Sequence, residues 1–145
     1  ARGILLGITR GTTDAHLARA AVESMAFQTR DLLEAMQKDA ATQDIELKVD
    51  GGACVNNLLM QFQAEILGSR VRRPAITETT ARGAAFLAGL GVGFWNQLED
   101  IGALWECDRV FEPQMHEAER AQRYRTWQQA VARSQHWNDV NGESQ

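Results

Sequence analysis

The residues best suited to chemistry lie in the segment 49–57, VDGGACVNN. A strand that ends at Gly51 and Gly52 and passes into a helix exposes bare backbone at the carboxyl edge of a sheet, where α/β proteins bind ligands. Because glycine has no Cβ, a flat ring can lie against the peptide planes of Gly51, Gly52 and Ala53. Asn56, near the first helical turn, can offer both a donor and an acceptor to a base edge or a ribose hydroxyl.

Asp50 limits which part of a nucleotide such a loop would suit. A carboxylate directly before the glycines repels phosphate, so the loop fits the base-and-ribose end better than the phosphate end. The segment matches neither GxxxxGK[ST] nor GxGxxG. A plain strand-to-helix turn in which Asn56 caps the helix explains the same residues, since Gly-Gly turns are common. Spacing alone leaves both interpretations open.

Other side chains that could carry chemistry give weaker signals. His16, His116 and His136 lie far apart and lack metal-ligand spacing, so we predict neither a metal site nor catalytic residues in this chain. Cys54 lies near a helix N-terminus, but without an evident partner it is interpreted as a small packing residue.

A run of arginines follows the second predicted helix. Arg70, Arg72 and Arg73 are interpreted as a solvated basic edge that deters strand pairing.

The elements that must position the 49–57 loop alternate between strand and helix. The predicted order is a strand at 3–8, a helix at about 14–38, a strand at 45–49, a helix at about 55–67 capped by Gly68, an extended stretch at 71–74, a helix from Thr79 or Thr80 to about 92, a short strand near Phe111 and a helix at about 116–137. This order predicts an α/β fold: a short sheet with crossover helices and a C-terminal helix.

The first helix carries an apolar stripe that is interrupted only at Gln28. The apolar residues at helical spacing are expected to face the core. They are Leu17, Ala21, Met25, Leu32 and Met36, with Val22, Ala26 and Leu33 widening the stripe. Three short strands are few for so many helices, and the sheet is expected to be incomplete in this chain. The absence of an initial Met and the immediate apolar run suggest a piece of a longer protein.

Composition narrows the possible functions. The 145 residues have a net charge of −4 and 44% hydrophobic residues, which favours a globular domain over a nucleic-acid binder. The most apolar stretch, 83–95, is shorter than the roughly 20 residues of a bilayer span. Two cysteines are too few for a disulfide framework. We therefore predict a cytoplasmic protein without nucleic-acid or membrane partners, with one domain at 1–137 and a polar tail at 138–145.

Three longer segments resemble a known family. DGGACVNNLLMQFQAEILG at 50–68 and ETTARGAAFLAGLGVGFW at 78–95 resemble the C-terminal domain of the glycerol kinases. The segment 3–23 is similar to a signature of the wider carbohydrate-kinase family, with Gly3 and Gly7 followed by His16, Ala20 and Glu23. The similarity extends to about residue 137.

The resemblance implies a partial ribonuclease-H-like, actin-like ATPase domain on the nucleotide side of a kinase. It implies that Gly51, Gly52, Ala53 and Asn56 hold the adenosine part of ATP. It also implies that Mg²⁺, glycerol and the catalytic residues belong to upstream parts, so that this chain alone is inactive. A homo-oligomer is expected. The same domain of a xylulose, gluconate or erythritol kinase, or a stand-alone nucleotide-binding module, are the alternatives.

Overall fold

The structure is a computed structural model that describes residues 3–40 and 46–135. Its elements are α1 (Asp14–Ala40), β1 (Leu47–Lys48), a 3₁₀ turn (Gly52–Val55), α2 (Asn57–Leu67), β2 (Val71–Pro74), α3 (Thr79–Gly91), α4 (Leu98–Gly102), β3 (Cys107–Phe111) and α5 (Glu117–Ser134). The three strands form one sheet in the order β1-β2-β3, with β1 parallel and β3 antiparallel to β2. The predicted α/β class with a crossover helix is confirmed by the parallel β1-α2-β2 unit.

Helix α2 occupies the centre of the core. It packs against α1, α5, β2 and β3, and its sequence accounts for both of its ends. Asn56 caps the first turn, and Gly68 ends the helix in the left-handed conformation, with φ of 71°. The core residues are Ala26, Phe27, Cys54, Leu59, Met60, Phe62, Ala64, Ile66, Val71, Phe111 and Tyr124. The predicted α2 and its Gly68 cap are confirmed.

Helices α1 and α5 meet over α2 through aromatic and polar contacts. Phe27 stacks on Trp127, with ring centroids 5.2 Å apart, and lies edge-on to Phe62 at 5.5 Å. Asp31 accepts hydrogen bonds from the Tyr124 hydroxyl at 2.6 Å and the Trp127 indole nitrogen at 2.7 Å. Tyr124 and Trp127 therefore lie on the face of α5 that packs against α1.

The first helix is confirmed, but only one edge of its predicted apolar stripe is buried. The buried residues of α1 are Ala26 and Phe27, whereas Met25, Leu32 and Met36 are at least half exposed. Helix α2 packs on the neighbouring side of α1. Val22 and Ala26, at the edge of the stripe, therefore pack in the core, whereas its central residues do not.

The predicted strand at 3–8 is also wrong. The segment forms no strand, Gly7 has a φ of 80°, and Leu5, Leu6 and Ile8 are more than half exposed. A strand needs a ladder partner for its backbone groups, and among the described residues no strand lies beside this segment.

Two further details differ from the sequence prediction. Glu78 occupies the cap position of α3, so Thr79 is its first helical residue instead of its cap, and α4 was not predicted. The start of the strand at 45–49 and the end of the helix at 116–137 lie outside the described residues, as does the tail at 138–145. The last helix begins where predicted, but within the described residues it ends at Ser134, and Gln135 is already extended.

Glu65 joins α2 to the segment that leads into α5. Its carboxylate accepts hydrogen bonds from the Gln61 side chain at 2.6 Å and from the backbone N–H of Gln114 at 2.7 Å and of Met115. Burial by itself would raise the pKa of Glu65. The hydrogen bonds from Gln61, Met115 and Gln114, together with the charge of Arg120, outweigh burial and hold this pKa below its ordinary value.

We predict that Glu65→Gln destabilises the chain by about 1 kcal/mol at pH 7, since hydrogen bonds to a charged acceptor are stronger than those to a neutral one. The folded-state pKa is lowered, so the stabilisation by the ionised carboxylate is present above the unfolded pKa of about 4.3 and is lost as pH falls below it. Urea unfolding at pH 7 and pH 3.5 measures both effects. A deficit that is equal at the two pH values would contradict this account.

Candidate functional site

The segment 49–57 follows β1 at the carboxyl edge of the sheet, as predicted. Val49 extends the parallel pairing by donating to the Arg72 carbonyl at 3.1 Å, and Gly51 donates to the Thr77 carbonyl at 3.0 Å. Gly51 has φ of 78° and ψ of 175°, a conformation essentially restricted to glycine. This residue therefore turns the chain out of the sheet and into the 3₁₀ turn.

Gly52 differs from Gly51 in its backbone conformation. Its φ lies outside the left-handed region, and a Cβ built on it meets no atom within 4 Å. Gly52 and Ala53 are both exposed. The backbone of Gly52 and Ala53 thus forms an open ledge on which a flat ring can lie, whereas only Gly51 uses the conformational freedom of glycine.

Asn56 caps α2, as the structural interpretation predicts, and still has polar atoms that a nucleotide could contact. Its Oδ1 accepts hydrogen bonds from the backbone N–H of Leu58 at 3.0 Å and Leu59 at 3.2 Å. The predicted acceptor toward a ligand is therefore occupied by the cap. The Nδ2 amide has no hydrogen-bond partner within the described residues, and Asn56 is exposed. Both N–H donors of this amide therefore remain available to a base or a ribose.

Asp50 connects the loop to the next helix. Its Oδ2 accepts a hydrogen bond from the Thr79 hydroxyl at the first residue of α3. Together with the Gly51–Thr77 bond, this contact fixes the chain on both sides of the ledge to the segment before α3.

Cys54 is confirmed as a packing residue. It is 1% exposed and belongs to the core. Burial raises the pKa of its thiol, and the nearby charge of Arg73 only partly opposes that rise. Cys54 is therefore a neutral thiol that packs the 3₁₀ turn against the core.

The interpretation of the three arginines as a solvated edge is wrong for Arg73. Its side chain is 14% exposed, and it donates to the Cys54 carbonyl at 3.2 Å and to Asn57 Oδ1 at 2.9 Å. Arg70 and Arg72 pair with Glu112 and Glu46. Sequence reasoning missed Arg73 because its partners in the loop lie 16 and 19 residues away.

No group of three or more metal-ligating side chains is found in the described ranges 3–40 and 46–135. His16 Nδ1 accepts a hydrogen bond from the Thr13 backbone N–H at 3.1 Å, inside the first turn of α1. His116 occupies the cap position of α5, and His136 lies outside the described residues.

Residues 1–92 match the C-terminal domain of the FGGY family of carbohydrate kinases. The chain belongs to this family. It is 59% identical over 139 residues to the glycerol kinase of Deinococcus radiodurans, covering 96% of this chain and 28% of that protein. The resemblance seen in the sequence is thereby confirmed. This FGGY chain spans just over a quarter of the length of the curated relatives it matches.

Solved structures of FGGY kinases agree with the fold. The crystal structure of Plasmodium falciparum glycerol kinase with ADP superposes with a TM-score of 0.78 at 31% identity, covering 89% of this chain and 26% of that one. The crystal structure of xylulose kinase from Rhodospirillum rubrum superposes with a TM-score of 0.70 at 26% identity, covering 91% of this chain and 27% of that one. The predicted class, a partial ribonuclease-H-like, actin-like ATPase domain, is confirmed. Within the described part of this FGGY chain, no helix is long and apolar enough to cross a bilayer.

Proposed function

We propose that this chain is the nucleotide-side portion of an ATP-dependent glycerol kinase, which transfers the γ-phosphoryl group of ATP to glycerol and yields glycerol 3-phosphate. The observation that carries the proposal is the 59% identity to a glycerol kinase over nearly the whole chain. The open ledge at the carboxyl edge of the sheet supplies a place for the nucleotide.

We propose further that Gly51, Gly52, Ala53 and Asn56 hold the adenosine part of ATP. Three features support this assignment. The ledge has open space where a Cβ would lie on Gly52, Asn56 keeps its two amide N–H donors, and a structural neighbour is a glycerol kinase with ADP. In this arrangement the base lies over the Gly52–Ala53 peptides and the Asn56 amide donates to the base or the ribose.

The remaining parts of the reaction are assigned to regions of the relatives that this chain does not span. Phosphoryl transfer requires the hydroxyl acceptor, Mg²⁺ and the phosphates to be held in line. We propose that those other regions bind glycerol and Mg²⁺, that the enzyme acts in the cytoplasm, where it meets ATP, and that it assembles as a homo-oligomer.

Substrate specificity provides the test. We expect the protein expressed from the whole reading frame that contains these residues to release ADP with glycerol at a kcat/KM at least tenfold above that with xylulose, gluconate or erythritol. A coupled ADP-release assay measures all four, and the 145-residue chain alone is the inactive control. Preference for xylulose or gluconate would transfer the proposal to another branch of the family. ADP binding without any kinase activity would instead favour the stand-alone nucleotide-binding module.

A further inference from the structure

Arg73 is set apart from its two neighbours on β2 by burial. Its side chain is 14% exposed, against 33% for Arg72 and 63% for Arg70. A guanidinium removed from water needs partners for its donors. The partners of Arg73 belong to two separate parts of the chain.

The first set of partners belongs to the candidate nucleotide loop. Nη1 of Arg73 donates to the Cys54 carbonyl at 3.2 Å and to Asn57 Oδ1 at 2.9 Å. These two residues lie on either side of Asn56, whose backbone N–H is itself bonded to the Ala53 carbonyl at 3.2 Å. One side chain therefore holds the loop both before and after the residue assigned to the nucleotide.

The second partner is on β3. Nε and Nη2 of Arg73 donate to Oδ2 of Asp108 at 2.7 and 2.6 Å. The β2–β3 register pairs Arg73 with Arg109 and Pro74 with Cys107, so the irregularity at this step leaves Asp108 without a ladder partner. Bulges of this kind redirect side chains. Here the bulged residue is Asp108, and its carboxylate pairs with the Arg73 guanidinium.

We propose that Arg73 is a positioning residue for nucleotide binding. Anchored by Asp108, it fixes the 3₁₀ turn and Asn56 before the nucleotide arrives, so that binding does not have to order the loop. The inference rests on the proposed function and adds to it a residue that touches no ligand. A lysine retains the charge but lacks the planar fork that serves Cys54, Asn57 and Asp108 together.

The test uses three variants of the protein expressed from the whole reading frame: Arg73→Lys, Asp108→Asn and, as the matched control, Arg70→Lys. Arg70 lies on the same strand and pairs with Glu112, away from the loop. ADP affinity is measured by calorimetry, and the KM values for ATP and glycerol, kcat and the thermal midpoint are measured on the same preparations.

We expect Arg73→Lys to raise the ADP Kd and the ATP KM by about three- to tenfold, the effect of losing one or two hydrogen bonds. Asp108→Asn should change both in the same direction by a smaller factor. The glycerol KM should stay within twofold of wild type in both variants. Arg70→Lys should match wild type in every measurement.

Folded Arg73→Lys and Asp108→Asn proteins that bind ADP like wild type would overturn the positioning role. Equal rises in the KM values for ATP and glycerol would also overturn it, because they indicate a general structural defect. If Arg73→Lys does not fold, the ADP affinity and the KM values of Asp108→Asn provide the test. A wild-type protein that binds no ADP would overturn the proposed function and this inference together. If the Gly52→Val variant binds ADP more weakly than wild type while the Arg73→Lys variant binds it normally, this inference alone is overturned.

Discussion

In the protein expressed from the whole reading frame, for which we propose kinase activity, replacing Gly52 with valine should raise the ATP KM by roughly 5- to 150-fold. This corresponds to about 1–3 kcal/mol of lost binding. The branched side chain would occupy the space above the ledge, where we place the adenine ring. The same space contains no protein atom within 4 Å of a Cβ at this position, and the φ of Gly52 lies outside the left-handed region. The fold should therefore tolerate valine, and the effect should fall on the nucleotide.

The glycerol KM serves as the internal control for Gly52→Val, because the substitution does not touch the transferred phosphoryl group. Gly102→Val provides a matched control, since a Cβ at Gly102 in α4 also meets open space. Steady-state kinetics and thermal midpoints on the same preparations separate the cases. An unchanged ATP KM in a folded Gly52→Val protein would remove the adenosine site from this ledge.

The second prediction separates the observed cap by Asn56 from the nucleotide contact that we propose for it. Asn56→Ala removes the cap of α2 and the free amide donor together. It should therefore lower stability by about 1 kcal/mol and raise the ATP KM roughly 2- to 13-fold. Asn56→Asp and Asn56→Ser keep an acceptor for the Leu58 and Leu59 amides and lack the amide donor. They should retain the wild-type thermal midpoint while the ATP KM still rises.

Turnover at saturating ATP should change little in all three Asn56 variants, because the interaction lost is uniform binding. Asn56→Ser is the neutral check on Asn56→Asp, whose charge could act on the phosphates. If both capping variants keep the wild-type ATP KM, Asn56 serves the helix alone.

Local signals in the sequence were sufficient for α2 and its loop. The structural effects of the two glycines, of Asn56 and of Gly68 involve only residues close to them in the sequence. These effects can therefore be predicted from residue type and order. The different tasks of Gly51 and Gly52 could not be read in this way. They depend on where the Thr77 carbonyl and the open space above the ledge lie in three dimensions.

Long-range contacts account for the errors. Which face of α1 is buried depends on where α2 packs, and the exposure of Leu5, Leu6 and Ile8 depends on which strands are available to pair with them. Arg73 resembles its neighbours in the sequence, and only the bulge opposite it and the turn beside it give it a distinct role.

The most direct test of the central claim is photolabelling of the protein from the whole reading frame with 8-azido-ATP, followed by trypsin digestion and mass spectrometry. Cleavage after Lys48 and Arg70 releases the ledge, Asn56 and α2 as one peptide, residues 49–70. The account predicts that the label lies on this peptide, that excess ATP suppresses it and that Gly52→Val reduces it. ATP-protected label confined to other peptides would contradict the assignment of the adenosine site to this loop.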